Sequence, residues 1–147
     1  MHAKARREDI IVREIKGEFV LYDEQALRAH ELNAAAGSVW RHCDGETSIR
    51  SLADAVAAET ELPADEEIVH LALAQLSKAG LLEGPQEGFE PRISRRQIIQ
   101  RLGMASSLTV LLPMVGTIVV PSSAMAQTGQ PSPSASPSAS PTTTPQP

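Results

Sequence analysis

Leu32-Asn33-x-x-Ala36-x-x-Val39-Trp40-x-x-Cys43-Asp44-Gly45-x-Thr47-x-Ile49-x-x-Leu52-Ala53 carries the clearest periodicity in the chain. Ala36, Val39, Trp40 and Cys43 recur at i, i+3, i+4 and i+7, one face of a helix. Asn33 stands where an N-cap belongs, and Gly45 where a C′ residue ends the helix. Thr47 is placed to cap a second helix, with Ile49, Leu52, Ala53 and Val56 repeating the spacing. Arg50 occupies the position where a capping box would carry Glu.

Towards the N-terminus, residues 10–15 and 18–22 are rich in β-branched and aromatic side chains. Lys16-Gly17 lies between them, and Gly17 tolerates positive φ, which predicts a hairpin. A third short strand is predicted at 29–32. Towards the C-terminus, Pro63 breaks the chain before a third helix. Asp65, Glu66 and Glu67 crowd its first turn and Lys78 sits in its last, both favourable to the helix dipole. Gly80 stops it, and Leu81-Leu82 returns to the core.

The third helix has two apolar stripes. Ile68, Leu71, Ala72, Leu76 and Ala79 make one; Val69 and Leu73 make a second, offset stripe. Either the helix is packed on both sides within a small domain, or its second stripe is offered to a partner.

Charge divides the chain. All 18 acidic residues lie at or before Glu90, and no charge of either sign follows Arg101. Only the first part has the polar and apolar mixture of a folded domain, predicted over 8–84 and followed by a linker at 85–93. The net charge of −5 argues against a general nucleic-acid binder. A single cysteine rules out an internal disulfide framework and any CxxC site. No apolar run follows Lys4, Arg6 and Arg7, so the first domain is expected in the cytosol.

The predicted order of strand, strand, short strand and three helices gives an α+β, winged-helix-like domain with a three-stranded antiparallel sheet. At 32–53, at Val20-Leu21-Tyr22, and at Leu76 with Gly80-Leu81-Leu82, the residues resemble the PqqD-like family. The resemblance spans about residues 8–84. It implies a binding module: a peptide chaperone, or precursor-peptide recognition element, in the biosynthesis of ribosomally made and then modified peptides. The leader of the precursor would add as a strand to the sheet edge and lie in the groove against the third helix, for delivery to a modifying enzyme such as a radical-type maturase. In this sequence the edge would be Ala29, His30, Glu31 and Leu32, and the groove wall Val69, Leu73 and Leu76. Proteins of pyrroloquinoline quinone synthesis tend to close this domain with Gly-Trp-Leu. Gly80-Leu81-Leu82 therefore points to the broader family.

Catalytic, metal and cofactor signals are thin. His2, His30, His42 and His70 are scattered, and His30-Glu31 has no second His to complete a zinc-protease motif. His42-Cys43-Asp44 is contiguous, but successive helical residues point about 100° apart. Cys43 reads as a small buried residue, His42 as a surface one, and Asp44 as a backbone-bonding residue at the helix end. No catalytic residue, metal or cofactor is expected.

Ser94-Arg95-Arg96-Gln97-Ile98-Ile99-Gln100 resembles a twin-arginine export signal. Residues 102–120 are then uncharged and moderately apolar, about 28 Å long as one helix, against a hydrocarbon core of about 30 Å. Ala124-Met125-Ala126 has the form of a signal-peptidase site. Residues 94–126 therefore admit three readings. One is a membrane anchor with the arginines on the cytosolic side. The second is an internal export signal cut after Ala126. The third is a soluble segment recognised by a partner, such as a mimic or self-presented substrate of the peptide-binding domain. Length and charge asymmetry favour the anchor, placing the domain at the inner membrane face. Residues 127–147 read as a disordered spacer rich in Pro, Ser and Thr.

Two alternatives to a peptide chaperone are a membrane-attached winged-helix DNA-binding regulator and a structural adaptor without a peptide ligand. The first is disfavoured because Asp65, Glu66 and Glu67 would repel phosphate at the end of helix three that enters the groove.

Overall fold

The computed structural model describes residues 2–84, 89, 91–103 and 109–119. Strands β1 (Ile10–Ile15), β2 (Glu18–Asp23) and β3 (Arg28–Leu32) precede helices α1 (Ala34–His42), α2 (Ile49–Glu59), α3 (Glu66–Lys78) and α4 (Arg95–Leu102). Strand β4 (Val115–Val119) follows. The sheet is antiparallel with order β1-β2-β3-β4.

The β1–β2 turn takes positive φ at both Lys16 (53°) and Gly17 (82°), which matches the twist of the flanking strands. The β2–β3 turn is organised by Asp23, whose carboxylate accepts from the N–H groups of Gln25 and Ala26, both at 3.0 Å, and pairs with Arg6. Burial opposes ionisation of Asp23, but the Ala26 N–H, the Arg6 guanidinium and the Gln25 N–H together hold its pKa below the usual carboxylate value.

Each of the three central helices has an oxygen at its N-cap. Asn33 accepts from the Ala36 N–H, Ser48 from the Ser51 N–H and Asp65 from the Glu67 N–H. Ser48 takes the cap expected of Thr47, because Asp44 has already engaged Thr47 through both its N–H and its hydroxyl. Gly45 and Gly80 adopt positive φ just beyond α1 and α3. The α1 helix packs on β2 and β3 and against α2 and α3. Leu21, Leu32, Val39, Leu52, Val56, Ile68, Leu73, Leu76 and Leu81 fill the core between them. Residues 3–6 join this unit as well. Ala3 and Ala5 are buried, and backbone bonds run from Ala5 to Cys43 and from Arg6 to Leu81, tying together the ends of α1 and α3.

Three expectations change. The sheet has four strands, so 29–32 is not its edge. Val69 and Leu73 do not form a solvent-facing stripe, since both are completely buried along with Leu76. Residues 102–120 do not make one transmembrane helix. The α4 helix ends at Leu102 with Gly103 in the left-handed region (φ 56°), and Val115–Val119 is extended. Pro113 interrupts helical bonding and the β-branched Val115, Thr117, Ile118 and Val119 suit a strand. Among the described residues no helix is long and apolar enough to cross a membrane. The Ser-Arg-Arg-Gln run has a local structural role: Ser94 and Gln97 form a capping box that starts α4, and Ile98 on that helix is buried. Residues 120–147, including Ala124-Met125-Ala126 and the Pro/Ser/Thr stretch, lie outside the described residues.

Candidate functional site: a strand-accepting groove

The alternation of β3 points His30 and Leu32 inward and leaves Glu31 exposed. One edge of β3 is taken by β2. The other receives β4 in a continuous register from Arg28↔Val119 to Leu32↔Val115. Across β4 stands α3, which contacts both β4 and α4. Ala29, His30, Glu31 and Leu32 therefore border a groove that holds an extended segment between sheet and helix.

Two side-chain amides grip the backbone of that segment. Asn33, at the junction of β3 and α1, donates from Nδ2 to the Leu112 carbonyl (2.8 Å) and accepts at Oδ1 from the Met114 N–H (3.0 Å). Its own N–H donates to the Met114 carbonyl (3.2 Å). On α3, Gln75 donates from Nε2 to the Pro113 carbonyl (2.9 Å) and accepts at Oε1 from the Val115 N–H (3.0 Å). Arg95 adds guanidinium bonds to the carbonyls of Pro113 (3.2 Å) and Thr109 (3.0 Å). These contacts read main-chain groups, so they hold an extended chain largely irrespective of its sequence.

Side-chain recognition is sparser. Leu112 is completely buried, and the His30 Nδ1 lies 3.0 Å from the Thr117 hydroxyl. Burial pushes the His30 pKa below its ordinary value; the Asp23 carboxylate opposes this, while Arg28 and Arg6 add to it. His30 is thus a neutral hydrogen-bonding group at neutral pH. Beside Val115 and Thr117 the groove opens into a cavity of about 510 Å³ that is also lined by Arg28, His30, Gln75 and Lys78. Its two cationic side chains contrast with the acidic domain around it.

The residues predicted from the sequence divide. Those at 29–32 border the groove. Val69, Leu73 and Leu76 belong to the hydrophobic core. The α3 side chain that reaches the fourth strand is Gln75, which shares its face with Leu71 and Ala79 by i, i+4 spacing. The sequence analysis does not single out Gln75; it places Arg95 in the twin-arginine-like run and Asn33 at a helix cap within the family signature, neither of them in the groove. A polar residue inside the apolar stripe of Ile68, Leu71, Ala72 and Ala79 was the available signal for Gln75.

The His42-Cys43-Asp44 run does no converging chemistry. Burial, with some help from Asp44, pushes the Cys43 thiol up to about 12, so it stays protonated and is a poor nucleophile at neutral pH. The Asp44 carboxylate accepts from the N–H groups of Glu46 and Thr47 and from the Thr47 hydroxyl, which bring its pKa to about 2. Among the described residues no group of three or more His, Cys, Asp or Glu side chains is arranged to hold a metal ion.

Residues 18–82 match the family described as coenzyme PQQ synthesis protein D (PqqD). Among solved structures the chain is similar to "TbiB1 in Complex with the TbiA(beta) Leader Peptide". The identity is 24% and the TM-score 0.46, with 56% of this chain and 96% of that chain covered. No curated protein matches the chain.

Proposed function

We propose that this chain, whose residues 18–82 form a PqqD-like domain, is a non-catalytic peptide chaperone that binds the leader of a ribosomally made precursor by strand addition and presents it to a modifying enzyme. The family match supports the class of function. The observation that carries the mode of binding is the gripping of an extended segment, antiparallel to β3, through the amides of Asn33 and Gln75. A leader lying in the same place would pair its backbone with β3 and turn alternate side chains towards α3. Arg28 and Lys78 beside the open end of the groove favour a carboxylate at the corresponding leader position.

Strand addition has a signature that does not depend on knowing the natural leader. Dodecamers selected from a random displayed library on the full chain would be resynthesised with single N-methylated amides. Blocking every second amide is expected to weaken binding at least tenfold, with little effect at the positions between, because only alternate N–H groups face the sheet. Loss that follows apolar side chains at i, i+3, i+4 with no alternation would identify a helical ligand and refute strand addition.

A further inference from the structure

The segment in the groove belongs to this chain, and its mode of attachment has a consequence for any peptide arriving from outside. Residues 112–115 have carbonyl and N–H groups engaged by Asn33 and Gln75, and 115–119 pair along the whole of β3. The apolar anchorage precedes the strand, with Leu112 and Pro113 buried and Leu111 and Val115 half-buried, whereas along the strand itself Ile118 is 60% exposed and Val119 67%. A strand held chiefly by its main chain is replaceable by another strand. Because β4 itself buries so little apolar surface, its pairing depends on the covalent connection, which raises its local concentration above that of a free peptide.

We infer that residues 109–119 are an intramolecular ligand of the peptide groove, and that a peptide bound in trans must displace them; the two occupants exclude one another on β3. The inference rests on the strand-addition reading and adds a built-in competitor to it. It also accounts for the twin-arginine-like run, which that reading leaves unused. Arg95 is bonded to the carbonyls of Thr109 and Pro113. When 109–119 leaves, Arg95 loses both acceptors, and the hold of this segment on α4 is released. Binding in trans would thus free the half-buried Arg95 side chain and leave α4 held chiefly by Ile98, so that the backbone beside Arg95 and the already exposed Arg96 opens to a protease.

The test uses the full chain and, as probe, a fluorescein-labelled synthetic peptide of residues 109–119. Met114 turns its N–H and carbonyl towards Asn33, whereas the Val115 N–H turns to Gln75 on α3. By strand alternation Gly116 and Ile118 then face β3. A Gly116→Pro, Ile118→Pro double variant removes both donors while leaving β3 and α3 unaltered. The variant is expected to bind the probe at least tenfold more tightly than the native chain, and trypsin to cut after Arg95 and Arg96 at least tenfold faster. In case the double variant fails to give a cooperative melt, a second form carries a specific protease site at 85–88. Cleavage there frees the tether, and the same tenfold gain is expected on dilution to micromolar protein. Equal, measurable probe affinity in the native and released forms would overturn the inference while leaving strand addition intact. No probe binding in any form, including to a released groove, would overturn both.

Discussion

Leu73→Asp is expected to leave no cooperatively folded domain at 25 °C. Leu73 has no exposed surface and belongs to the cluster that joins α3 to α1, α2 and the sheet. Truncating a buried leucine costs about 2–5 kcal/mol, and burying a carboxylate in its place costs several more. A domain of this size has a stability near the low end of about 5–15 kcal/mol, so the sum exceeds what is available. Val69→Asp should behave the same way, since Val69 is equally buried. Leu73→Met, which conserves volume, should cost under about 1.5 kcal/mol and melt close to the native protein. Far-ultraviolet circular dichroism during heating distinguishes these outcomes. A Leu73→Asp protein with a native-like transition would mean that the stripe faces solvent after all.

Trp40→Ala is expected to cost about 3–5 kcal/mol, the usual penalty for emptying a buried aromatic site. Trp40 is buried, and its Nε1 donates to the Leu81 carbonyl at 3.3 Å. The Arg7 guanidinium lies 5.1 Å from the ring centroid. One side chain thus joins α1, the chain just after α3 and the N-terminal segment. Trp40→Phe keeps most of the apolar volume and loses the hydrogen bond, which makes the smaller loss of about 1–3 kcal/mol typical of an unmatched carbonyl. Because Trp40 is the only tryptophan, urea titrations should be followed by circular dichroism rather than by fluorescence. A midpoint unchanged in Trp40→Ala would contradict its place in the core.

The elements over 10–78 were legible because their signals are local. Lys16-Gly17 specifies a turn, Asn33 specifies a cap, the acidic cluster at 65–67 marks the start of α3, and Ala36, Val39, Trp40 and Cys43 specify a face. β4 had no such signal. Its partner β3 lies more than 80 residues earlier, and nothing within Val115–Val119 encodes that pairing. The same uncharged stretch has the length of a membrane span, and the composition that weakens it as an anchor, Pro113 and Gly116 among β-branched residues, is what lets it become a strand. The groove was half legible for a related reason. The position of β3 follows from element order, but which side of α3 faces β4 depends on the packing angle of the helix. Two apolar stripes on α3 allowed either choice, and the polar Gln75 was the residue that marked the correct one.

The central claim, that a peptide binds between β3 and α3, is tested most directly by amide chemical-shift mapping on the full chain. The titrant is a library-selected dodecamer. The account predicts that the largest changes fall at residues 28–33, at 71–79 on α3, and along 112–119 as that segment is displaced. Changes confined to α1 and α2, or to the outer sheet face around Ile11 and Tyr22, with 28–33 and 71–79 unmoved, would contradict it.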